Sequence, residues 1–337
     1  NIMQNTHFNV MCMYNKTFAF VGICLVVFIA SFAVRGLSLS IDFTGGRNYV
    51  VQFQNRVEPE VVKQALANTF ENSTVNALSL GTDHKTIRIS TNYMIGSSDP
   101  TVDSKIEKKL FTSLKAAGLV SQSSYEVFKD PDVRQGGSII SSTKVGPSVA
   151  KDITYGAIVS VILALIAIFL YILVRFRNVA YSVGSTIALA IDTIAVIGVY
   201  SLCWGHLPFS LEIDQTFIGA ILTIIGYSIN DKVVVFDRVR EYFHLYPKHD
   251  RQNLFNDSLN VTLGRTVNTS LCTLIVLLCI LFLGGESIRS FAFSMSLGVV
   301  FGTLSSIFVA APIAYLTMGH RIRKHEAKEA EKEVVAG

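Results

Sequence analysis

The sequence predicts a polytopic α-helical membrane protein with six transmembrane helices and a small α+β domain inserted between the first two. Three observations carry this. Half of the 337 residues are apolar and only 16% are charged, at a mean hydropathy of +0.44, which is too apolar for a soluble chain of this length. Four runs, Thr17 to Val34, Ile153 to Val174, Thr266 to Gly285 and Ser290 to Gly319, contain no Asp, Glu, Lys or Arg. Each approaches or exceeds the roughly 20 helical residues that cross a hydrocarbon core of about 30 Å. A polar segment of domain length, residues 37–149, separates the first run from the rest.

Two further spans are interrupted only by isolated charge. Val179 to about Leu211 contains Asp192, and Gln215 to Phe236 contains Asp231 and Lys232. Residues 1–16 form an N-terminal segment, 17–36 the first span, 150–319 the other five and 320–337 a tail whose alternating Arg, Lys and Glu suit a solvated helix. The first run reads as a span and not as a cleaved leader. It is longer than a usual leader core, and no small-residue cleavage site follows before Arg35.

Orientation follows from basic residues in short connections. Arg175 and Arg177, then Arg238, Arg240, Lys248, Arg251 and Arg265, then Arg321, Arg323 and Lys324 fall on one side, while the opposite connections offer only Arg289. Both termini are therefore expected in the cytoplasm and residues 37–149 outside. The net charge of +4 belongs to this basic rim and is no nucleic-acid signal. Of the five cysteines, none lies in the exterior segment, where a disulfide would form, and no spacing suggests a metal.

Within the exterior segment, Arg47 to Gln54 alternates as a strand with Tyr49, Val51 and Phe53 on one face. Glu58 to Phe70 has helical spacing with Pro59 in its first turn. Ser73 to Ser79 and Thr86 to Ser90 form a hairpin, Asp103 to Ala117 a helix and Ser124 to Phe128 a last strand. That order, β-α-β-β-α-β, is the split ferredoxin-like pattern. With His84 as its only histidine, read as a solvent-facing turn residue, the domain is expected to bind or transmit and not to catalyse.

Ionisable residues inside spans cost roughly 2.5 to 3.5 kcal/mol on insertion scales unless paired or facing a cavity. Thr223, Tyr227, Asn230 and Asp231 recur at i, i+4, i+7 and i+8, and Arg265, Asn268, Thr269 and Cys272 at i, i+3, i+4 and i+7, so each set shares one helical face. A carboxylate and a guanidinium on facing polar stripes form a candidate proton relay, Asp231 with Arg265. Asp192, Asn230, Tyr227, Asn268 and Thr269 are further candidates for the relay or for structural polar contacts. Lys232 is read as snorkelling or pairing locally. Ser290, Ser294, Gly298, Gly302 and Ser305 form a small-residue stripe for close helix packing, with no chemistry attached. Residues Tyr242 to Asn260 read as an amphipathic segment along the inner membrane surface.

DFTGGR at Asp42 to Arg47, VGP at Val145 to Pro147, GYSINDKVVVFDRVRE at Gly226 to Glu241, RTVNTS at Arg265 to Ser270, FLGGES at Phe282 to Ser287 and SSIFVAAP at Ser305 to Pro312 occur in this order. Together they resemble the SecF family, or the SecF half of a fused SecDF, in the RND superfamily. The resemblance runs from the first span to the last. It implies a non-enzymatic subunit of the bacterial inner membrane that partners SecD and the SecYEG channel, with YidC and YajC as further partners. Such a subunit uses the proton motive force to move exported unfolded polypeptides outward, with no cofactor and with H⁺, or alternatively Na⁺, as coupling ion. Asp231 and Arg265 match the family's proton-relay positions. Asp42, Gly45, Gly46, Arg47, Gly146 and Pro147 match motifs expected to couple the spans to the exterior domain. The sequence departs from the family at Lys232, where a small hydroxyl residue is usual. SecD fused upstream would account for a chain that starts at Asn1. The rival readings are a passive assembly scaffold, an RND-type small-molecule exporter, and an intramembrane protease using Asp192 and Asp231. The last lacks the Gly expected before its second Asp, since Asn230 stands there.

Overall fold

The computed structural model describes residues 9–319 apart from 71–72, 81–82, 98, 100, 134–135, 205, 208 and 210. In chain order its elements are α1 (Tyr14–Arg35), α2 (Ile41–Thr44), β1 (Gly46–Gln52), α3 (Pro59–Leu66), β2 (Val75–Ser79), β3 (Thr86–Thr91), α4 (Val102–Ala116), α5 (Tyr125–Lys129), β4 (Ser138–Val145), α6 (Pro147–Phe176), α7 (Val179–Cys203), α8 (Gln215–Leu245), α9 (Arg251–Leu283) and α10 (Glu286–Ser305). α10 runs on through a π-helical stretch, Ser306–Ala310, and the last span reaches Gly319. Among the described residues, six helices are long and apolar enough to cross a membrane: α1, α6, α7, α8, α9 and α10 with its continuation.

Small residues decide which spans sit at the centre. A Cβ on Gly184 of α7 would lie 2.6 Å from the Ala310 carbonyl oxygen, and one on Gly302 of α10 would lie 2.6 Å from the Ser228 Oγ of α8. Backbones this close bury the helices that carry them. In the most apolar window of each span, 50% of α7, 44% of α8 and 61% of the last helix is buried, against 6% for α1 and α6. The small-residue stripe of α10 thus packs as expected, through Gly298 on Ile224 and Gly302 on Ser228.

The α+β domain has a four-stranded antiparallel sheet in the order β2-β3-β1-β4. β1 is central, with Tyr49 opposite Ile89 of β3 and Gly46 opposite Val145 of β4. Tyr49, Val51, Phe53, Ile87 and Ile89 meet Val62 and Leu66 of α3 and Ile106, Leu110 and Leu114 of α4 in one core. β4 leads straight into α6 with only Gly146 between them, so the sheet is continuous with a membrane helix.

Three expectations are corrected. Ser124 to Phe128 is no strand: α5 occupies it, anchored by the buried Phe128. The place beside β1 is taken by β4, reached after a turn at Gly136 and Gly137 with φ of +88° and +95°, which lets the chain reverse. Second, Tyr242 to Asn260 is not one separate amphipathic element. α8 continues to Leu245 and α9 starts at Arg251, with Leu254, Phe255 and Leu259 buried and Asn256 Oδ1 accepting from the Met11 N–H at 3.0 Å. Third, His84 is half-buried, with Nδ1 3.8 Å from Glu58. The expected helical tail, 320–337, lies outside the described residues.

Candidate functional site

Asp231 and Lys232 are neighbours on α8, and successive helical residues point about 100° apart. They therefore serve different helices. Asp231 is 4% exposed and faces α9 and α10: Ser270 donates to its Oδ2 at 3.4 Å, and the Ser270 and Thr303 hydroxyls are 2.5 Å apart. Lys232 is fully buried and faces α7 and α10. Its Nζ donates to Asp192 Oδ2 at 3.0 Å, Ser228 Oγ at 2.6 Å and Ser305 Oγ at 3.0 Å. Ser228 and Ser305 in turn donate to the same Asp192 oxygen at 2.9 and 2.8 Å. Lys232 does not snorkel, because all three ammonium donors are satisfied in place.

Of the relay candidates read from the sequence, Asp231 and Asp192 are deep in the bundle and the others are not. Arg265, Asn268 and Thr269 of α9 and Asn230 of α8 are exposed, and Tyr227 is half-buried, its hydroxyl 3.1 Å from Thr273 Oγ1. Asp231 and Arg265 form no ion pair among the described residues; the Asp231 carboxylate takes a hydroxyl instead. Tyr227 also links the polar sides of α8 and α9 by donating to the Thr269 carbonyl at 3.4 Å. Polar surface of this kind on membrane spans needs cover from other protein.

At the domain end of the bundle the coupling motifs converge. Asp42, in α2, accepts from the Gln215 N–H at the first turn of α8 at 3.3 Å, a favourable place for a carboxylate at a helix N-terminus. Ser40 N–H donates to the Ile213 carbonyl at 2.9 Å and Ile213 N–H to the Ser38 carbonyl at 2.8 Å. Gly45 and Gly46 have φ of +75° and +156°, and a Cβ on Gly46 would meet the Thr91 carbonyl oxygen at 2.7 Å, so a side chain is excluded there. A Cβ on Gly45 would lie 3.6 Å from Pro147 Cα, which places the DFTGGR and VGP segments side by side. Arg47 is buried, bonded to Asp103 of α4 and donating to the Tyr93 carbonyl at 3.1 Å. Gly146 supplies the extended link between β4 and the Pro147 start of α6.

A second strut was not legible in the sequence. Glu212, in the α7–α8 connection, is 8% exposed, 3.7 Å from Arg88 of β3 and 3.3 Å from Asn76 Nδ2 of β2. Burial pushes its carboxyl above the ordinary carboxylate range, Arg88 and Asn76 pull it back in part, and Asp214 and Asp42 add to the rise. A raised folded-state value means that the docked contact is strongest below the exposed carboxylate's pKa and weakens as pH rises through the folded value. Glu212→Gln is expected to remove this dependence. In thermal unfolding of the purified chain, wild type should be less stable than Glu212→Gln at pH 7.5 and converge with it near pH 4. Parallel curves at all pH values would contradict the assignment.

The sequence profile described as "Protein export membrane protein SecD/SecF, C-terminal" matches residues 128–320, and "SecD/SecF GG Motif" matches residues 30–55, which hold Gly45 and Gly46. Protein translocase subunit SecF of Rhodothermus marinus is 34% identical over 312 residues, covering 93% of this chain and 94% of the relative. The chain belongs to the SecF family. SecF of Petrotoga mobilis is 33% identical, covering 92% of this chain and 96% of its own. Against the fused protein translocase subunit SecDF of Thermus thermophilus, 33% identity covers 88% of this chain but 36% of the relative. The crystal structure of SecDF from Thermus superposes at a TM-score of 0.73 and 30% identity, over 94% of this chain and 39% of that one. This SecF-family chain thus spans about two fifths of a SecDF chain. It is a multi-pass membrane protein with six candidate spans among the described residues, and its fold superposes on that of SecDF.

Proposed function

We propose that this chain is an accessory subunit of the Sec export translocase that works with SecD and draws on the proton motive force to advance exported polypeptides. The observation that carries the reading is Asp231. It is a buried carboxylate at membrane depth whose near partners are hydroxyls, and it lies on the helix whose far end is fastened to the α+β domain by Asp42. A carboxylate held by neutral donors can exchange a proton without abandoning a fixed cation. Asp231 to Gln215 spans sixteen residues of α8, about 24 Å at 1.5 Å per residue, so repacking around Asp231 reaches Asp42, the paired glycines and the start of β1 through one rigid element.

In this proposal the polar side chains of Asn230, Tyr227, Arg265, Asn268 and Thr269 receive SecD, which closes a proton path over Asp231. Arg265 provides the positive charge that balances the ionised carboxylate once these side chains are covered. The basic connections at Arg175, Arg177, Arg238 and Arg240 lie on the cytoplasmic side of the inner membrane and the α+β domain outside. Each proton crossing 100 mV brings about 2.3 kcal/mol, which biases a two-state element by roughly fifty-fold. Residues 37–149 then act as the moving part that meets the emerging polypeptide beside the SecYEG channel, with YidC and YajC as further neighbours.

The test is gradient-dependent export in vesicles carrying Asp231→Asn, with membrane level and SecD association measured in the same samples. Loss of the gradient-dependent fraction, about tenfold or more, with assembly intact is the expected result. Unchanged export would make the chain a passive scaffold.

A further inference from the structure

The cage around Lys232 has the form of a cation site. Three oxygens from three helices, Asp192 Oδ2 on α7, Ser228 Oγ on α8 and Ser305 Oγ on α10, converge on one ammonium nitrogen at 2.6 to 3.0 Å. All four side chains are at least nine-tenths buried: Asp192 at 2%, Lys232 at 0%, Ser228 at 1% and Ser305 at 5% exposure. The Ser228 hydroxyl donates to Asp192, and the Ser305 hydroxyl lies within reach of both Asp192 Oδ2, at 2.8 Å, and the Gly302 carbonyl, at 3.1 Å, so each keeps a lone pair for the centre. One carboxylate and two hydroxyl oxygens are hard donors, suited to an alkali cation as well as to an ammonium.

Ser305 draws the last span into the cage. The helix beside it leaves α geometry immediately after Ser305, in the π-helical stretch Ser306–Ala310, so the oxygen of Ser305 sits at a break in the backbone pattern of the last span. Asp231, one residue from Lys232, and the Ser270–Thr303 pair lie on the other side of α8 and do not enter this cage.

We propose that Asp192, Ser228 and Ser305 form an intramembrane alkali-cation site that Lys232 occupies with its own ammonium. The chain carries this counter-cation covalently, so neither Na⁺ nor K⁺ is needed to hold α7, α8 and α10 together. Removing the ammonium while leaving room at the centre opens the site to a cation from solution. This inference concerns binding and stability and stands or falls apart from proton-driven export.

Thermal unfolding of the full chain, purified at pH 8 and constant ionic strength with choline chloride exchanged for NaCl or KCl, tests it. Wild type and Lys232→Met, which fills the space without charge, are expected to be indifferent to the cation. Lys232→Ala is expected to be stabilised by Na⁺ or K⁺, its unfolding equilibrium shifting about tenfold for each tenfold rise in cation once the site is mostly filled. The double variant Asp192→Asn with Lys232→Ala should lose that response. Lys232→Ser is read in the same way, and recovery of either variant only from alkali-containing buffers counts as support. The proposal is overturned by a Lys232→Ala protein that responds to pH and not to alkali cations, by a wild type that itself needs Na⁺, or by failure of both small variants to fold in any of these salts.

Discussion

Asp192→Asn is expected to be among the most damaging single substitutions in this chain, destabilising it by about 3 to 5 kcal/mol, because it leaves the Lys232 ammonium buried without a counter-charge. Lys232 is fully buried and reaches no other carboxylate under 4 Å among the described residues. Ser228 and Ser305 would remain as acceptors, but neutral oxygens do not offset a full charge at membrane depth. Pairing the change with Lys232→Met should restore most of the loss, since a matched apolar replacement of a buried ion pair is often close to neutral. Unfolding of wild type, both single variants and the double variant in one detergent gives the coupling between the two sites. A coupling near zero would show that the two charges do not depend on each other.

Gly184→Leu is the second large effect. A Cβ at this position would stand 2.6 Å from the Ala310 carbonyl oxygen and 3.1 Å from the Ala314 nitrogen, and both are backbone atoms that no rotamer change can move aside. α7 would have to separate from the last span, which opens the cage in which Asp192 and Ser305 meet. Overpacking of this kind costs about 1 to 3 kcal/mol and more when backbone must shift. Gly22→Ala and Gly219→Ala meet nothing within 4 Å and should be near wild type. Comparable yields and unfolding midpoints for Gly184→Leu and Gly22→Ala would show that the close α7 contact is not what holds the centre together.

The outcome at individual residues shows where sequence reading stops. Tyr49 and Val51 of β1 and Phe53 just beyond its end alternate and are all buried, because a period of two is visible in any single extended segment. Ser124 to Phe128 is helical where its pattern suggests a strand, since five residues carry too little periodicity to separate the two. Asp231 was legible as a buried membrane carboxylate from its helical stripe alone. Its expected pairing with Arg265 was not met, because spacing places a residue on a face of its own helix but says nothing about how two helices rotate against each other. The same gap hid the partners of Lys232: Asp192 is forty residues away, and Ser305 read as one more small packing residue. Glu212 was silent for a related reason, as its partners Arg88 and Asn76 lie on strands that meet the α7–α8 connection only after the domain has docked.

The sequence by itself determined six spans, the inserted α+β domain and the SecF-family motifs, since hydropathy, strand alternation and short motifs are local properties of the chain. Only the tertiary structure decided which charges meet. Asp231 went to hydroxyls, Lys232 to Asp192 and Asp42 to the start of α8. The physical reason is that a charge in a low-dielectric bundle is satisfied by whichever donor helix packing brings within about 3 Å, and glycine contacts far along the chain set that packing.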